Sequence, residues 1–307
     1  MTGRRGSNRE ASATRSRRLR VYRTVHAHHA AQADRHSGVG GPEPAETLRG
    51  ERPARGKGDL PRRAGEGVHL DRGPSGCGKT TLLKSICNLL EPSSGQVVLH
   101  GQRISAPPPE MVLVFQDYSR SLFPWLTVLG NVMFPLKKQN GLDKAEKEQR
   151  VNEAIEAVGL TNFAHSYPWQ LSGGMQQRVA IARSVAFRPE ILLLDEPFAS
   201  VDALTREGLE DLVLRLRAKY GITVLLVTHD IDEAVYLSDR VFVLGKPPSV
   251  VISEVPVDLP RPREQTKTRS DPDFLKLRNE IHGLITHPPG KDEKASDLKL
   301  RVEEKGV

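Results

Sequence analysis

The sequence predicts an α/β fold with a mainly parallel sheet, and three observations support this prediction. From residue 73 to residue 244, short apolar runs of the kind found in buried strands alternate with longer segments of helical periodicity. A glycine-rich segment stands immediately before the first of these helices. The chain has 307 residues, which is enough to bury a substantial core. Strands that alternate with helices typically form a parallel sheet covered by those helices.

Each predicted strand is an apolar run bounded by polar or turn residues. The strands are expected at residues 97–99, 112–115, 191–194, 222–227 and 241–244, with an extended segment at 250–257. The helices are expected at residues 81–90, 141–160, 173–187, 204–220 and near 230–237. Gly221 follows the fourth helix and suits the left-handed conformation that ends many helices. Apolar residues between 274 and 285 line one face of a last short helix.

The N-terminal segment, residues 1–72, differs in composition from the rest of the chain. It holds 16 basic and 8 acidic residues, a net charge of +8, whereas the whole chain carries +7. It has no Ile and no Phe, so it cannot bury enough apolar surface to offset the entropy of ordering it. We expect this segment to be disordered or translated out of frame. A genuine basic extension that binds anionic lipid or nucleic acid is the alternative.

Composition also excludes several classes of protein. No apolar run approaches the roughly 18–20 residues of a membrane-spanning helix. Two cysteines, Cys77 and Cys87, are too few for a disulfide framework, so a reducing, cytosolic setting is expected. Beyond residue 72 the positive and negative charges nearly balance, so we expect no nucleic-acid partner for the folded part.

The strongest motif is a run of eight residues, 73–80, in which Gly, four residues and Gly-Lys-Thr follow one another. Its glycines let successive backbone N–H groups point at phosphate oxygens, and the following helix adds its positive N-terminal end. The lysine can reach the β- and γ-phosphates, and the threonine hydroxyl can bind the Mg²⁺ that bridges them. ATP and Mg²⁺ are therefore the expected cofactors. The predicted nucleotide-binding residues of this segment are Gly73, Pro74, Ser75, Gly76, Cys77, Gly78, Lys79, Thr80 and Thr81.

Two carboxylates follow the predicted strand at residues 191–194. A carboxylate at the end of a buried strand is costly unless it binds a metal ion or accepts hydrogen bonds. Asp195 is suited to Mg²⁺, and Glu196 is suited to act as the general base that aligns water against the γ-phosphate. An apolar run that ends in Asp-Glu is a weak signal alone, but the phosphate loop makes it a strong one.

A third motif, Leu-Ser-Gly-Gly-Met-Gln-Gln-Arg, occupies residues 171–178. Ser172 can cap the helix that follows, and Gly173 and Gly174 allow a phosphate to approach the positive end of that helix. This run resembles the signature sequence of ABC ATPases. The resemblance extends from about residue 73 to about residue 286. It implies a phosphate-loop NTPase core with an inserted helical subdomain over residues 120–180.

The resemblance implies roles for further residues. Gln116 is similar to the family glutamine that contacts Mg²⁺ and senses the transporter, residues 200–202 to a loop at the dimer interface, and His229 to the histidine that contacts the γ-phosphate. The expected catalytic residues are Glu196, His229, Lys79 and Gln116. The expected Mg²⁺ ligands are Thr80, Gln116 and Asp195. Contacts with the nucleotide, partly across a homodimer, are also expected from Ser172, Gly173, Gly174, Gln177 and Asp202.

Four segments resemble the ATPases of importers for nitrate, sulfonates or taurine, namely residues 118–135, 167–170, 195–204 and 255–263. The resemblance implies an ATP-hydrolysing subunit, peripheral to the cytoplasmic face of the bacterial inner membrane. Its implied partners are transmembrane permease subunits and, indirectly, a periplasmic or lipid-anchored solute-binding protein. Phe123, Pro124 and Trp125 are expected near the groove where the permease docks, or alternatively in the core of the helical subdomain.

The chain departs from the family pattern before the phosphate loop. Residues 65–72 do not form an apolar strand, and residues 45–65 contain no aromatic residue to stack on adenine. A degenerate, non-catalytic family member is therefore the alternative function. A DNA-repair ATPase would need a long coiled-coil insertion between Lys79 and Asp195, and a translation factor would carry two cassettes. The predicted domains are residues 1–72, the ABC ATPase domain 73–245, and a C-terminal extension 246–307 with a short helix and a loose tail.

Overall fold

The computed structural model describes residues 79–92, 95–245 and 251–288, together with the backbone of residues 19–22 and 300–301. The strands are β1 (Leu19–Tyr22), β2 (Gln96–Leu99), β3 (Gln102–Arg103), β4 (Met111–Val114), β5 (Ile191–Asp195), β6 (Thr223–Val227), β7 (Arg240–Leu244), β8 (Val251–Pro256) and β9 (Leu300–Arg301). The α-helices are α1 (Lys79–Ile86), α2 (Tyr118–Ser121), α3 (Val128–Met133), α4 (Lys144–Ala157), α5 (Gly173–Ala186), α6 (Ala203–Tyr220), α7 (Ile231–Leu237), α8 (Gln265–Arg269) and α9 (Pro272–Thr286).

A parallel sheet of order β4-β5-β6 forms the centre of the fold. Every residue of β5 is buried, because helices cover both faces of the sheet. Ile191 and Leu193 pack on one face with α1, while Leu192 and Leu194 pack on the other with α5 and α6. The predicted α/β fold with a parallel sheet is therefore confirmed. The continuous apolar run in β5 reflects burial on two faces rather than one.

Two antiparallel sheets flank this centre. One has the strand order β3-β2-β1-β9, in which Leu19 pairs with Leu99 and Arg20 pairs with both Val98 and Arg301. The other pairs β7 with β8, so that Val241 lies opposite Val255. Strand β1 was not predicted, because its four residues lie in a segment otherwise poor in apolar residues.

Helices α2, α3 and α4 form the predicted helical subdomain and pack against α5. Asn131, which is fully buried in α3, holds the preceding loop in place. Its side-chain oxygen accepts from the Phe123 N–H (2.8 Å), and its amide nitrogen donates to the carbonyls of Phe123, Leu126 and Thr127. Helix α4 begins with a capping box, in which Asp143 and Glu146 each accept a hydrogen bond from the other's backbone N–H.

The first helix differs from its prediction. It was expected at residues 81–90, whereas α1 runs from Lys79 to Ile86. Asn88 takes a left-handed φ of 55°, and the Leu89 N–H donates to the Lys84 carbonyl at 2.8 Å, five residues back. Such a bond is typical of a helix end, so Leu89 and Leu90 lie outside the helix and are exposed.

The C-terminal segment packs on the core. Helix α9 buries Phe274 and Ile281 and contacts α7, β7 and β8. Arg263, between β8 and α8, is buried, and its Nη1 donates to the carbonyls of Val235, Tyr236 and Ser238 at the end of α7. Helix α8 was not predicted from the sequence. Among the described residues, no helix combines the length and apolar character needed to cross a membrane.

Several predictions lie outside the described residues. They are the state of residues 1–18 and 23–72, the loop residues Gly73–Gly78, and the tail beyond residue 288 apart from the backbone of β9. The proposed domain boundaries likewise remain predictions.

Candidate nucleotide-binding site

The predicted catalytic residues lie together because parallel strands end at the same edge of a sheet. Gln116 follows β4, Glu196 follows β5 and His229 follows β6. Helix α1 packs against β5 and brings Lys79, at its first position, to the same edge. These four residues, which are far apart in the chain, thereby form one cluster.

A hydrogen bond between Thr80 and Asp195 forms the buried part of this cluster. The Thr80 hydroxyl donates to Asp195 Oδ2 at 2.7 Å, and the aspartate is 3% exposed. Burial raises the pKa of Asp195, and the neighbouring Glu196 charge raises it further, whereas the Thr80 hydrogen bond lowers it. A hydroxyl and a carboxylate side by side are the hard oxygen ligands that Mg²⁺ prefers.

Glu196 lies at the centre of the cluster and contacts three predicted partners. The Lys79 ammonium is 2.9 Å from Glu196 Oε1. Gln116 Nε2 donates to Glu196 Oε2 at 3.3 Å, and His229 Nδ1 lies 3.3 Å from the same oxygen. Lys79 is a cation and Gln116 is a hydrogen-bond donor, so electrostatic attraction holds the carboxylate from two sides.

The backbone of Glu196 is strained. Its φ is 42°, in the left-handed region where side chains other than glycine and asparagine cost about 1 kcal/mol or more. The Glu196 N–H donates to the Val227 carbonyl at 2.8 Å, which continues the β5–β6 pairing by one residue. This combination turns the carboxylate out of the sheet and toward Lys79 and His229. Strain of this kind is typical of functional sites.

Gln177, in α5, connects this helix to the segment after Glu196. Its side chain is fully buried, and its Nε2 donates to the Pro197 carbonyl at 2.5 Å. The structure therefore places this glutamine inside the chain. Its predicted contact with a nucleotide remains a prediction.

A second surface lies at the N-termini of α5 and α6 and is formed by the signature residues Ser172, Gly173 and Gly174 together with Asp202 of the predicted interface loop. Ser172 Oγ accepts from the Met175 N–H at 3.4 Å, and Asp202 Oδ1 accepts from the Thr205 N–H at 3.0 Å. Hydrogen bonds from Thr205 lower the pKa of Asp202. A Cβ on Gly174 would lie 2.3 Å from Thr205 Cγ2, so only glycine fits between the two helix ends.

In the described part of the chain, polar contacts do not link this second surface to the first. Among the described residues, no hydrogen bond or ion pair joins Ser172, Gly173, Gly174 or Asp202 to the cluster around Glu196. A single chain therefore presents two separate sets of the predicted nucleotide-binding residues.

Two buried residues behind His229 were not predicted. The hydroxyl of Thr228, the residue before His229, donates to the side chain of Glu233, in the first turn of α7. A threonine before the histidine and an acidic first turn in the next helix were the only sequence signals for them.

An aromatic cluster on the helical subdomain is formed by the half-buried Phe123 and the exposed Trp125 and Phe134. The Phe123 ring centroid is 5.5 Å from that of Trp125 and 4.4 Å from that of Phe134. Trp125 is 70% exposed, which excludes the core placement that was its alternative. Pro124 is exposed as well.

Comparisons with known proteins agree with this geometry. The sequence pattern described as ABC transporter matches residues 63–199, beginning ten residues before the start that the resemblance predicted. An ABC transporter ATP-binding protein of Methanocaldococcus jannaschii, MJ0412, is 48% identical over 227 residues, which cover 74% of this chain and 80% of that protein. This chain belongs to the ABC transporter ATP-binding family.

Two further relatives of this ABC transporter ATP-binding chain are informative. The nitrate import ATP-binding protein NrtC of Synechococcus elongatus is 45% identical over 225 residues, which cover 73% of this chain and 34% of NrtC. The chain thus spans about a third of the length of NrtC. A dimeric structure of the ATP-binding cassette MJ0796, bound to ADP and Pi, superimposes with a TM-score of 0.54 and 35% identity, covering 64% of this chain and 88% of that one.

Proposed function

We propose that this chain is the ATP-binding and ATP-hydrolysing subunit of an importer for a small anion such as nitrate, a sulfonate or taurine. The observation that carries the proposal is the convergence of Lys79, Gln116 and His229 on Glu196, next to the Thr80–Asp195 pair. The name of the relative NrtC, a nitrate import protein, supports a small anion as the transported solute. The ADP and Pi bound by MJ0796 support ATP hydrolysis as the reaction.

In this proposal, the residues around Glu196 divide the chemistry among them. Lys79 binds the β- and γ-phosphates, and His229 contacts the γ-phosphate. Glu196 accepts a proton from the attacking water as general base. Because the Lys79 ammonium is paired with Glu196, an incoming phosphate competes for the lysine and leaves the carboxylate free to orient water.

The residues present fit a Mg²⁺ ion. Thr80 and Asp195 already place a hydroxyl oxygen and a carboxylate oxygen within 2.7 Å of each other, and Gln116 can add its side-chain carbonyl. Among the described residues no group of three or more His, Cys, Asp or Glu could hold a metal ion, so phosphate oxygens and water would complete the shell. The bound ion would neutralise charge on the phosphates.

A second copy of the chain completes the site in this proposal. The exposed N-terminus of α5, with Ser172, Gly173 and Gly174, would face the nucleotide bound by the partner, and Asp202 would lie at the interface. The separation of this surface from Glu196 within one chain supports the arrangement, as does the dimeric state of MJ0796. Activity per molecule should then fall on dilution below the dissociation constant of the dimer.

The decisive experiment is an ATPase assay of the chain beside Glu196→Gln, with Glu207→Gln as the control for loss of an exposed carboxylate. We expect Glu207→Gln to match the parent and Glu196→Gln to retain ATP binding but lose at least about 100-fold in kcat. A parent chain that folds and binds ATP without turnover would favour the degenerate alternative, which the absence of an aromatic residue in 45–65 supports.

We propose further that the aromatic cluster, through its exposed members Trp125 and Phe134, docks on a permease subunit, which would hold the chain at the cytoplasmic face of the membrane. Trp125 has most of its surface free, and Asn131 fixes the loop that presents it. Trp125→Ala should leave unfolding and basal ATPase activity unchanged, because exposed side chains contribute little to stability. It should lower co-purification with the permease and uptake of nitrate, sulfonate or taurine in reconstituted vesicles. An unchanged complex would overturn this docking surface.

A further inference from the structure

The turn that carries His229 is organised by the hydroxyl of Thr228. This residue is 2% exposed and lies between β6 and α7. Its Oγ1 donates to Glu233 Oε2 at 2.5 Å and accepts from the Asp230 N–H at 3.1 Å. The residues on both sides of His229 are therefore tied to one buried hydroxyl.

Asp230 closes the turn from the other side. Its Oδ1 accepts from the N–H groups of Asp232 and Glu233 at 2.8 and 3.2 Å, which caps α7. Glu233, in the first turn of that helix, thus contributes its backbone to the cap and its side chain to Thr228. The turn, the cap and the carboxylate form one hydrogen-bonded unit.

The His229 ring has little other support. Its side chain is 55% exposed, and its contact at this site is with Glu196 Oε2 at 3.3 Å. Packing cannot fix a ring with this much exposure, so its direction depends on the backbone of residues 228–230. That backbone depends in turn on Thr228 and Glu233.

Stability alone does not explain a carboxylate at position 233. Glu233 is 4% exposed, and its nearest cation, Arg206 Nε, is 3.7 Å away. A buried carboxylate that has one ion pair and no hydrogen bond to that cation is costly compared with an apolar residue of similar size. Buried polar groups that lower stability and contact a functional segment are often there for function.

We propose that Glu233 is a positioning residue that acts through Thr228 to hold His229 against Glu196. The proposal rests on the function proposed above, because the contact between His229 and Glu196 has a role only if the chain hydrolyses ATP. The competing explanation is that Glu233 only joins α7 to α6 through Arg206. The two explanations differ in whether Glu233 matters when His229 is absent.

The first test is a double-mutant cycle in steady-state ATPase assays. We expect Glu233→Ala to lower kcat about tenfold with KM for ATP unchanged, and to have no further effect in a His229→Ala background. Glu233→Gln keeps an acceptor for the Thr228 hydroxyl and should restore most of the loss. The same fold-loss in both backgrounds, or no rescue by glutamine, would overturn the proposal.

The matched control is Glu210→Ala. Glu210 is also a fully buried carboxylate, but its partners are Gln265 and Arg269 rather than Thr228. Glu210→Ala should lower the free energy of unfolding. Any change that it causes in kcat should be the same whether or not His229 is present. Circular dichroism and thermal unfolding would show that each compared variant is folded.

A second readout does not require turnover. With ¹³C-labelled histidine, the His229 ring signal is assigned by its loss in His229→Ala. Glu233→Ala should shift this signal, whereas Glu233→Gln and Glu210→Ala should leave it in place. If the parent chain hydrolyses no ATP, the proposed function fails, but an unmoved His229 signal in Glu233→Ala is what defeats the positioning role.

Discussion

The Thr80 hydroxyl lies 2.7 Å from Asp195 Oδ2, although 115 positions separate the two residues. The contact joins the first turn of α1 to the last residue of β5 and brings two oxygen atoms suited to Mg²⁺ together. It also places Asp195 in a buried environment that raises its pKa. Function and stability therefore make opposite demands on this residue.

Replacing Asp195 by Asn should stabilise the chain and impair its activity. A raised pKa in the folded state means that burial penalises the charged form, and this penalty is complete above the folded pKa and absent below the unfolded one. Asp195→Asn removes it and keeps an acceptor for Thr80, so the free energy of unfolding at pH 7.5 should rise. Mg²⁺-dependent turnover should fall about 10- to 100-fold or more. A variant less stable than the parent at that pH would contradict this account.

Stability should depend on pH through Glu233. Burial raises its pKa from 4.5 to about 7, with the charges of Asp230 and Glu210 adding to the effect. The folded chain therefore binds a proton that the unfolded chain releases between pH 4.5 and 7, so this group makes the chain less stable as pH rises through that range. Relative to the parent, Glu233→Gln should raise the free energy of unfolding by up to about 3 kcal/mol at pH 8 and by almost nothing near pH 4. Denaturant unfolding at both pH values measures the difference, and a pH-independent offset would refute it.

Gly174→Ala should destabilise the chain by about 1–3 kcal/mol, because the new Cβ meets Thr205 Cγ2 at 2.3 Å and a β-branched side chain moves little. Adding Thr205→Ser removes that methyl group and should recover most of the loss. Gly283→Ala, in α9 with no atom within 4 Å of its Cβ, is the matched control and should stabilise by about 0.5–1 kcal/mol. Thermal unfolding compares the four proteins, and failure of the rescue would show that the clash is not the cause.

Arg263→Met should detach the C-terminal segment from α7. Three carbonyls lose their donor, so we expect a loss of about 3 kcal/mol in unfolding free energy. Arg261→Ala is the control, since its ion pair with Asp239 is partly exposed and should contribute about 1 kcal/mol or less. Equal effects of the two variants would argue against a special role for Arg263.

Much of the fold was predictable from local patterns. The buried strands β5 and β6 were recognised because apolar side chains on both faces leave an unbroken hydrophobic run. Helix α6 was recognised through its periodicity and through Gly221, which has the expected left-handed φ of 62°. By contrast, β1 was missed because its four residues gain their strand conformation from pairing with β2. No local sequence pattern indicates that pairing.

The candidate site was predictable in its members but not in its contacts. Lys79, Glu196 and His229 were identified because each belongs to a motif or to a family resemblance along the chain. Glu233 was missed because an acid in a first helical turn is common, and its burial against Thr228 depends on how α7 packs.

By itself, the sequence determined the alternation of strands and helices, the family of the chain and the residues able to bind phosphate. These properties depend on spacing, periodicity and the freedom of glycine, which act between near neighbours. Only the tertiary structure decided that Lys79, Gln116 and His229 share Glu196, that the α5 N-terminus lies apart from them, and that Thr228 and Glu233 support His229. Those relationships follow from the order and register of the strands, and contacts between distant segments leave no periodic trace in the sequence.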